Sequence, residues 1–316
     1  MKSALMAIAG RLEENISRVF VGKESQIRLM LVGFLSGLHV LIEDIPGVGK
    51  TTLARSLASS VGLDFGRVQF TPDLLPGDIV GMTIWNQEKR DFAYKPGAIM
   101  HQFILADEIN RASPRTQSSL LEAMEEGSVT VDGVTHVLPQ PFFVIATQNP
   151  VNFLGAFPLP EAQVDRFGIS FSLGYPTEDN EVEILSRFQA DNPLRDLKAV
   201  CSPEEVLEVR RHARKVHVDD KVKHYIAALT SSTRRDPQIK LGLSPRATQH
   251  LMLASQARAF VEGREFAIPE DVIAVAEGVL SHRLILSAEA KMENKTQQDM
   301  IRAARNRIPI PTGLSH

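Results

Sequence analysis

Short apolar runs alternate with longer segments of helical pattern over the first half of the chain. Residues 51–61 place Leu53, Leu57 and Val61 on one helical face, and residues 113–126 are also expected to form a helix. The apolar runs, which are expected to form buried strands, are residues 39–43, 67–70, 102–106 and 142–146. Because strands that alternate with helices pair in parallel, the pattern predicts a parallel sheet covered by helices on both faces.

Two further segments interrupt this alternation with the pattern of β-hairpins. The first covers residues 82–95, where two runs of strand-forming residues flank polar residues 87–90. The second covers residues 128–137, in which Asp132 and Gly133 suit a type I′ turn. Neither hairpin is needed to build the sheet. Each is therefore either surface decoration or a contact to a substrate or a neighbouring subunit.

Helical patterns take over after residue 177, and they predict a second, helical domain. Serine precedes proline at Ser202 and Ser244, as at a capped helix start with proline in the first turn. The expected helices are residues 178–189, 203–217, 219–233, 245–262 and 269–286. We divide the chain into domains of residues 1–193 and 194–316.

The composition of the chain limits which partners and which cellular compartment are expected. The chain has 316 residues, enough for two domains, and a formal net charge of -3, so no overall basic field attracts nucleic acid or a membrane surface. Its longest apolar stretch, residues 29–42, is interrupted by polar residues and glycines and is too short to span a bilayer. The single cysteine, Cys201, excludes an intrachain disulfide and a cysteine-based metal site, which favours a cytoplasmic location.

A glycine loop between the first strand and the first core helix has the pattern of a phosphate-binding loop. Gly47 and Gly49 would let backbone N–H groups approach phosphate oxygens, and Lys50 would contact the β- and γ-phosphates of a nucleotide. The residues expected to bind the nucleotide here are Pro46, Gly47, Val48, Gly49, Lys50, Thr51 and Thr52. The strict loop pattern has glycine where Asp44 stands, and aspartate tolerates unusual backbone angles better than most residues.

Two adjacent carboxylates complete the pattern of an ATP hydrolysis site. Thr51 would place its hydroxyl on Mg²⁺, and Asp107, at the end of an apolar strand, would hold the hydration shell of the ion. Glu108 would then polarise the attacking water. ATP and Mg²⁺ are thus the expected ligands.

Three later residues would complete catalysis, and each has a simpler alternative. Asn149 would align the water, or it is a turn asparagine before Pro150. Arg246 opens a helix of the second domain and would reach the γ-phosphate, or it is a surface arginine. Arg166 would act as an arginine finger across a subunit boundary, since an arginine supplied in trans accelerates phosphoryl transfer greatly. Alternatively, Arg166 forms a salt bridge to Asp165 or Glu161.

Over essentially its whole length the chain resembles the MoxR family of AAA+ ATPases. The resemblance rests on six segments: residues 43–51, 69–78, 107–112, 120–126, 146–150 and 159–167. It implies a P-loop AAA+ αβα core with a five-stranded parallel sheet, followed by an all-helical lid domain. It also implies inserts at about residues 79–98 and 128–139.

The resemblance further implies roles and partners. Arg166 matches the arginine finger of the family, Asn149 the first sensor and Arg246 the second, while Val21 and Gly22 match the segment that lies against adenine. ATP is expected between neighbouring subunits of a homo-oligomeric ring, commonly a hexamer. Family members usually act as chaperone-like remodellers of a protein client, beside a partner with a von Willebrand factor A domain.

These observations predict an ATPase that remodels a protein client, with the inserts facing the client. Two alternatives remain. One is a nucleotide-gated scaffold that holds its partner in the ATP state with little turnover. The other is a nucleic-acid motor, which would need a basic pore.

Overall fold

The computed structural model describes residues 2–88, 90–149, 157–190 and 193–313. The helices are α1 (Lys2–Met6), α2 (Ile8–Ser17), α3 (Glu24–Ser36), α4 (Lys50–Val61), α5 (Pro76–Val80), α6 (Pro114–Glu126), α7 (Glu161–Val164), α8 (Glu178–Ala190), α9 (Pro203–Ala213), α10 (Asp220–Ser232), α11 (Pro245–Val261), α12 (Pro269–Leu280), α13 (Ala288–Met292) and α14 (Gln297–Arg307). The strands are β1 (Val40–Glu43), β2 (Phe65–Gln69), β3 (Gly81–Asn86), β4 (Asp91–Pro96), β5 (Phe103–Asp107), β6 (Ser128–Val131), β7 (Val134–Val137), β8 (Phe143–Gln148), β9 (Ile169–Phe171), β10 (His217–Val218), β11 (Ile239–Leu241), β12 (Phe266–Ala267) and β13 (Ile285–Leu286).

A five-stranded parallel sheet in the order β2-β5-β8-β1-β9 forms the centre of the first domain. Successive residues of its strands point to opposite faces: Val40 and Ile42 join one hydrophobic cluster, and Leu41 joins the other. Because both faces are buried, the central strands β1, β5 and β8 are apolar at nearly every position, whereas β2 at one edge alternates. The four strands and the parallel sheet expected from the sequence are confirmed, and β9 is an addition at the edge.

Both expected hairpins are present, as the antiparallel pairs β3–β4 and β6–β7. Asp132 and Gly133 have φ angles of 50° and 80°, which is the left-handed pair that a type I′ turn requires. The ring of Tyr94 stacks on that of His136 with centroids 3.7 Å apart. The two hairpins therefore contact each other.

The second domain is helical, as expected, but its elements are interrupted more often than the pattern indicates. Helix α9 ends at Ala213 instead of residue 217, and α12 ends at Leu280 instead of residue 286. The residues beyond both ends enter strands of two or three residues, which pair as β10–β12 and β11–β13. Strands this short show no alternation that sequence reasoning can detect. Helix α14 was not predicted either, because most of its residues are polar.

Lid and core share one continuous apolar cluster. The cluster extends from α2, α3 and α4 through one face of the sheet to the lid helices α9 to α12. Among the described residues, none of the helices is both long and apolar enough to cross a membrane. The division after residue 193 stays a prediction.

Candidate functional site

The glycine loop lies at the carboxyl edge of the sheet, between β1 and α4. Gly47 and Gly49 have φ angles of 86° and 90°, a conformation that strongly favours glycine. A Cβ on Gly49 would also lie only 2.8 Å from a ring carbon of Phe20. The loop is therefore packed against the segment that contains Val21 and Gly22, which are the residues expected to contact adenine.

Asp44 has a role different from the one expected. Its backbone does not adopt a positive φ, so tolerance of unusual angles does not explain the residue. Its carboxylate accepts hydrogen bonds from Ile45 N (2.8 Å), Ser172 Oγ (3.0 Å), Leu173 N (2.5 Å) and Gly174 N (2.7 Å). Burial raises the pKa of this carboxyl, but the hydrogen bonds outweigh burial and the net shift of the pKa is downward. Asp44 thus joins the start of the loop to the chain that follows β9.

A cavity of about 400 Å³ opens beside the loop. Its lining residues are Pro46, Gly47, Gly49, Lys50, Thr51, Arg67, Gln69, Asp107 and Glu108. Five of the expected loop residues and both expected carboxylates therefore meet at one place. Among the described residues, Val48 and Thr52 do not line this cavity, and Val48 packs against the hydrophobic cluster.

Lys50 lies in the cavity with its amino group partly shielded from solvent. Its Nζ donates a hydrogen bond to the carbonyl oxygen of Asp44 at 2.7 Å. Burial lowers the pKa of Lys50, although the negative charges of Asp107, Asp44 and Glu108 act in the opposite direction. Desolvation of this cation strengthens its attraction for an entering phosphate.

Thr147 connects the two carboxylate residues and was missed by sequence reasoning. This fully buried residue of β8 donates a hydrogen bond from Oγ1 to Asp107 Oδ1 at 2.7 Å and accepts one from Glu108 N at 2.9 Å. Glu108 has φ 54° and ψ 51°, a left-handed conformation that is costly for a residue with a side chain. Its carboxylate pairs with Arg111 Nε at 2.9 Å. Thr147 thus holds the carboxylate of Asp107 and the backbone of Glu108, while Arg111 holds the carboxylate of Glu108.

Arg67 is a second residue that sequence reasoning missed. Its Nη2 lies 2.6 Å from Asp107 Oδ2 and 3.2 Å from Gln69 Oε1. Arg67 and Gln69 are the exposed positions of β2, and Gln69 pairs in register with Asp107. Two polar residues at alternate positions of a strand indicate that one of its faces is open, and this pattern could have revealed Arg67 from the sequence.

The donor set of the cavity fits Mg²⁺. The hydroxyl of Thr51 and the carboxylate of Asp107 line the same cavity, and oxygen ligands are those that this hard cation prefers.

Asn149 is buried directly after β8, and its backbone carbonyl oxygen accepts a hydrogen bond from Asn110 Nδ2 at 3.4 Å. The carboxyl ends of β1, β5 and β8 therefore bring the loop, the carboxylates and Asn149 to one edge of the sheet.

Arg166 and Arg246 lie together at a different place. Arg166 Nη1 is 3.2 Å from Glu125 Oε2, and Arg246 Nη2 binds Glu125 Oε1. Both arginines line a separate cavity of about 250 Å³. The alternative of a salt bridge from Arg166 to Asp165 or Glu161 is wrong, because its carboxylate partner is Glu125.

This second cavity lies at the amino edge of the sheet. Val40 and Ile169 pair in the parallel register of β1 and β9, and Arg166 precedes Ile169 by three residues. The glycine loop follows the other end of β1, which is a strand of about 13 Å at 3.3 Å per residue. The sheet therefore separates the two arginines from the glycine loop of the same chain.

Asp165 fixes the lid to the core beside Arg166. Both of its carboxylate oxygens accept from Ser244 Oγ, at 3.0 and 2.9 Å, and one lies 3.0 Å from Arg283 Nε. Ser244 also caps α11, in which Arg246 is the second residue. One carboxylate thus connects the segments that carry the two arginines.

Comparisons with known proteins agree with this architecture. The model of the ATPase family associated with various cellular activities (AAA) matches residues 39–169, and that of the AAA lid domain matches residues 231–304. YeaC of Bacillus subtilis is 47% identical over 311 residues, which are 98% of this chain and 97% of that protein. Chaperone MoxR1 of Mycobacterium tuberculosis is 38% identical over 305 residues, which are 94% of this chain and 80% of that protein. A crystal structure of a candidate ATPase from Cytophaga hutchinsonii superposes with a TM-score of 0.91 at 37% identity, covering 98% of this chain and 97% of that one.

Proposed function

This chain belongs to the MoxR family of AAA+ ATPases, and we propose that it hydrolyses ATP in sites shared by neighbouring subunits of a ring. The observation that carries the proposal is the separation of the two cavities. The phosphate-binding loop lies at the carboxyl edge of the sheet, whereas Arg166 and Arg246 lie at the amino edge. Contact between the loop of one subunit and the arginines of the next would complete each site.

Each residue has a role in this proposal. The backbone of residues 46–52 and Lys50 would bind the phosphates, and Thr51 and Asp107 would hold Mg²⁺, which when bound would supply positive charge at the phosphate oxygens. Glu108 polarises the attacking water, and Asn149 aligns it. Val21 and Gly22 lie against adenine. Arg166 and Arg246 of the adjacent subunit stabilise the charge that develops on the γ-phosphate, which places Arg246 in trans as well.

The energy of hydrolysis would drive chaperone-like remodelling of a protein client. The relative MoxR1 of Mycobacterium tuberculosis is named as a chaperone. The hairpin β3–β4 exposes Trp85 and Phe92, whose rings contact each other with centroids 5.2 Å apart. Exposed aromatic side chains suit contact with a protein surface. We propose that this hairpin faces the client, in a hexamer located in the cytoplasm with a von Willebrand factor A domain protein as its partner.

The rate of ATP hydrolysis per subunit, measured against protein concentration, tests the shared site. We expect the rate to rise as rings assemble, which is followed by particle mass. Glu108→Gln should bind ATP without turnover. Arg166→Ala should lose roughly a thousandfold in rate, as when an arginine finger is absent, while nucleotide affinity stays unchanged. An equal loss of nucleotide affinity in Arg166→Ala would contradict a role in trans.

Mixed rings separate the shared site from a site within one chain. Lys50→Ala subunits have intact arginines, and Arg166→Ala subunits have an intact loop. Mixing the two inactive variants should therefore restore part of the activity, whereas a site within one chain would stay inactive. A negligible wild-type rate with ATP bound would favour the scaffold, and stimulation by DNA would favour the nucleic-acid motor.

A further inference from the structure

A single carboxylate lies between the two arginines at the amino edge of the sheet. Glu125 uses Oε2 for Arg166 and Oε1 for Arg246, so that one side chain bridges both guanidinium groups. Arg166 Nη1 also donates to the carbonyl oxygen of Leu121 at 2.8 Å, one turn earlier in the same helix. The last turn of α6 therefore holds Arg166 at two points and joins it to Arg246.

The backbone around Glu125 is itself fixed from the core. His39 is partly buried, and burial lowers its pKa to about 4, so the ring is neutral near pH 7. Its Nδ1 accepts from Val144 N at 3.1 Å, which leaves Nε2–H to donate to the carbonyl oxygen of Met124 at 3.2 Å. This contact ties the residue before Glu125 to the starts of β1 and β8.

Each guanidinium binds Glu125 through only one terminal nitrogen. A guanidinium has five N–H donors, and among the described residues Arg166 and Arg246 use their remaining nitrogens for no other ion pair or hydrogen bond. Both side chains line the 250 Å³ cavity, which also contains Arg214. Three arginines against one carboxylate leave a net positive lining that suits an anion.

We propose that Glu125 is a positioning residue that holds Arg166 and Arg246 as one pair for the phosphates bound by the neighbouring subunit. Two guanidinium groups repel each other when they are close, and the shared carboxylate offsets that repulsion while fixing one edge of each. The free edges then reach the anion together. The inference rests on the proposed function, because it assumes that both arginines act in trans.

Glu125→Gln tests the proposal, because it keeps the shape of the side chain but removes its charge. Glutamine has one acceptor oxygen instead of two, and its NH₂ group is a donor, so it cannot offer each guanidinium a separate, charged oxygen as Glu125 does. We expect kcat to fall roughly tenfold to a hundredfold, as when reacting groups are slightly misplaced, with the KM for ATP and the affinity for ATP unchanged. The matched control is Glu126→Gln. Among the described residues, this exposed neighbour on α6 forms no ion pair, and its variant should retain the wild-type rate.

Mixed rings show which site Glu125 serves. Lys50→Ala subunits keep their arginine pair, so adding them should raise the rate per Glu125→Gln subunit if Glu125 acts through the arginines. No such rise would overturn the proposal, since Glu125 would then serve the loop of its own chain. Unfolding temperature and particle mass should match the wild type, and a large loss in either would also overturn it in favour of a structural role.

The result for Arg166→Ala separates this inference from the proposed function. If Arg166→Ala is inactive while Glu125→Gln keeps the rate of Glu126→Gln or exceeds it, the shared site stands and the role of Glu125 is overturned. If Arg166→Ala retains full activity, the proposed function fails and the role of Glu125 fails with it.

Discussion

Arg283 pairs with Asp165 across the junction of lid and core, with its Nε 3.0 Å from a carboxylate oxygen. The side chain of Arg283 is only 2% exposed, and its Nη2 donates to the carbonyl oxygens of Asp165 (3.2 Å) and Phe167 (2.6 Å). The same nitrogen lies 2.6 Å from His250 Nδ1. Burial lowers the pKa of Arg283 to about 10, so the group stays charged at neutral pH. Burial, and then Arg283, lower the pKa of His250 to about 3, which keeps its ring neutral as an acceptor.

Asp165→Ala should destabilise the protein strongly. The substitution leaves the buried guanidinium of Arg283 without its carboxylate partner, and breaking a buried pair from one side costs about 3 kcal/mol. Thermal or urea unfolding measures the loss. The matched control is Glu277→Ala, which removes the partner of the half-exposed Arg302 on the lid surface and should have a much smaller effect. Equal losses in the two variants would show that the junction does not hold lid and core together.

Asp44→Asn should destabilise the protein in a pH-dependent way. The folded pKa of this carboxyl is lowered, so its stabilisation is present above the unfolded pKa of about 3.9 and is lost as pH falls through the folded pKa. Hydrogen bonds to a charged acceptor contribute about 2 kcal/mol, which sets the expected difference at pH 7. Urea midpoints of wild type and variant should differ equally at pH 7 and pH 5, and the difference should shrink as pH falls below the unfolded pKa of about 3.9. A gap that widens on acidification would contradict this assignment.

Sequence predicted best those parts of the fold whose pattern is local. The glycine loop, the apolar strands and the Asp132-Gly133 turn each depend on neighbours within a few residues, and all were confirmed. The predicted ends of α9 and α12 were wrong, because the residues that follow each helix form short strands that pair with distant segments of the chain. Helix α14 has few apolar residues, yet Met300 and Ile301 are buried against the lid.

The candidate site divides in the same way. Lys50, Thr51, Asp107 and Glu108 follow from motifs, and the structure brings them to one cavity. Thr147 and Glu125 gain their importance from partners that are distant in sequence. Asp107 lies 40 residues from Thr147, and Arg246 lies 121 residues from Glu125. Asp44 was misread because its partners Ser172, Leu173 and Gly174 lie 128 to 130 residues later. Strand order and register create these contacts, and a single sequence does not display them.

Thr147→Val should reduce turnover more than nucleotide binding. Valine keeps the shape of the side chain but removes the donor to Asp107 Oδ1 and the acceptor for Glu108 N. Groups that orient a metal ligand typically contribute tenfold to a hundredfold in activity, so we expect kcat to fall roughly tenfold. The dissociation constant of ATP should stay within about twofold to threefold of the wild-type value, which is the change expected when one weak contact is lost. Thr130→Val, in the exposed hairpin β6–β7, is the control and should leave kcat unchanged. An unaltered kcat in Thr147→Val would show that Thr147 has no role in turnover.

Arg67→Met should lower the Mg²⁺ requirement of the ATPase. Arg67 Nη2 lies 2.6 Å from Asp107 Oδ2, an oxygen of the expected metal ligand. The guanidinium and Mg²⁺ would therefore compete for the same carboxylate. The guanidinium is 45% exposed, so the pair is weak enough to open when the metal and nucleotide enter. Methionine keeps the length of the stem without the charge. At fixed ATP, the Mg²⁺ concentration for half-maximal activity should fall about twofold to fivefold, the equivalent of one partly exposed ion pair.

A second readout and a control make the role of Arg67 specific. The thermal shift caused by ADP should reach its maximum at a lower Mg²⁺ concentration in Arg67→Met than in the wild type. Arg55→Met is the control, because Arg55 lies on α4 against the ring of Phe65 and, within the part of the chain that the structure describes, outside the cavity. If Arg67→Met instead loses activity at saturating Mg²⁺ with an unchanged Mg²⁺ requirement, Arg67 contacts the nucleotide and does not compete with the metal.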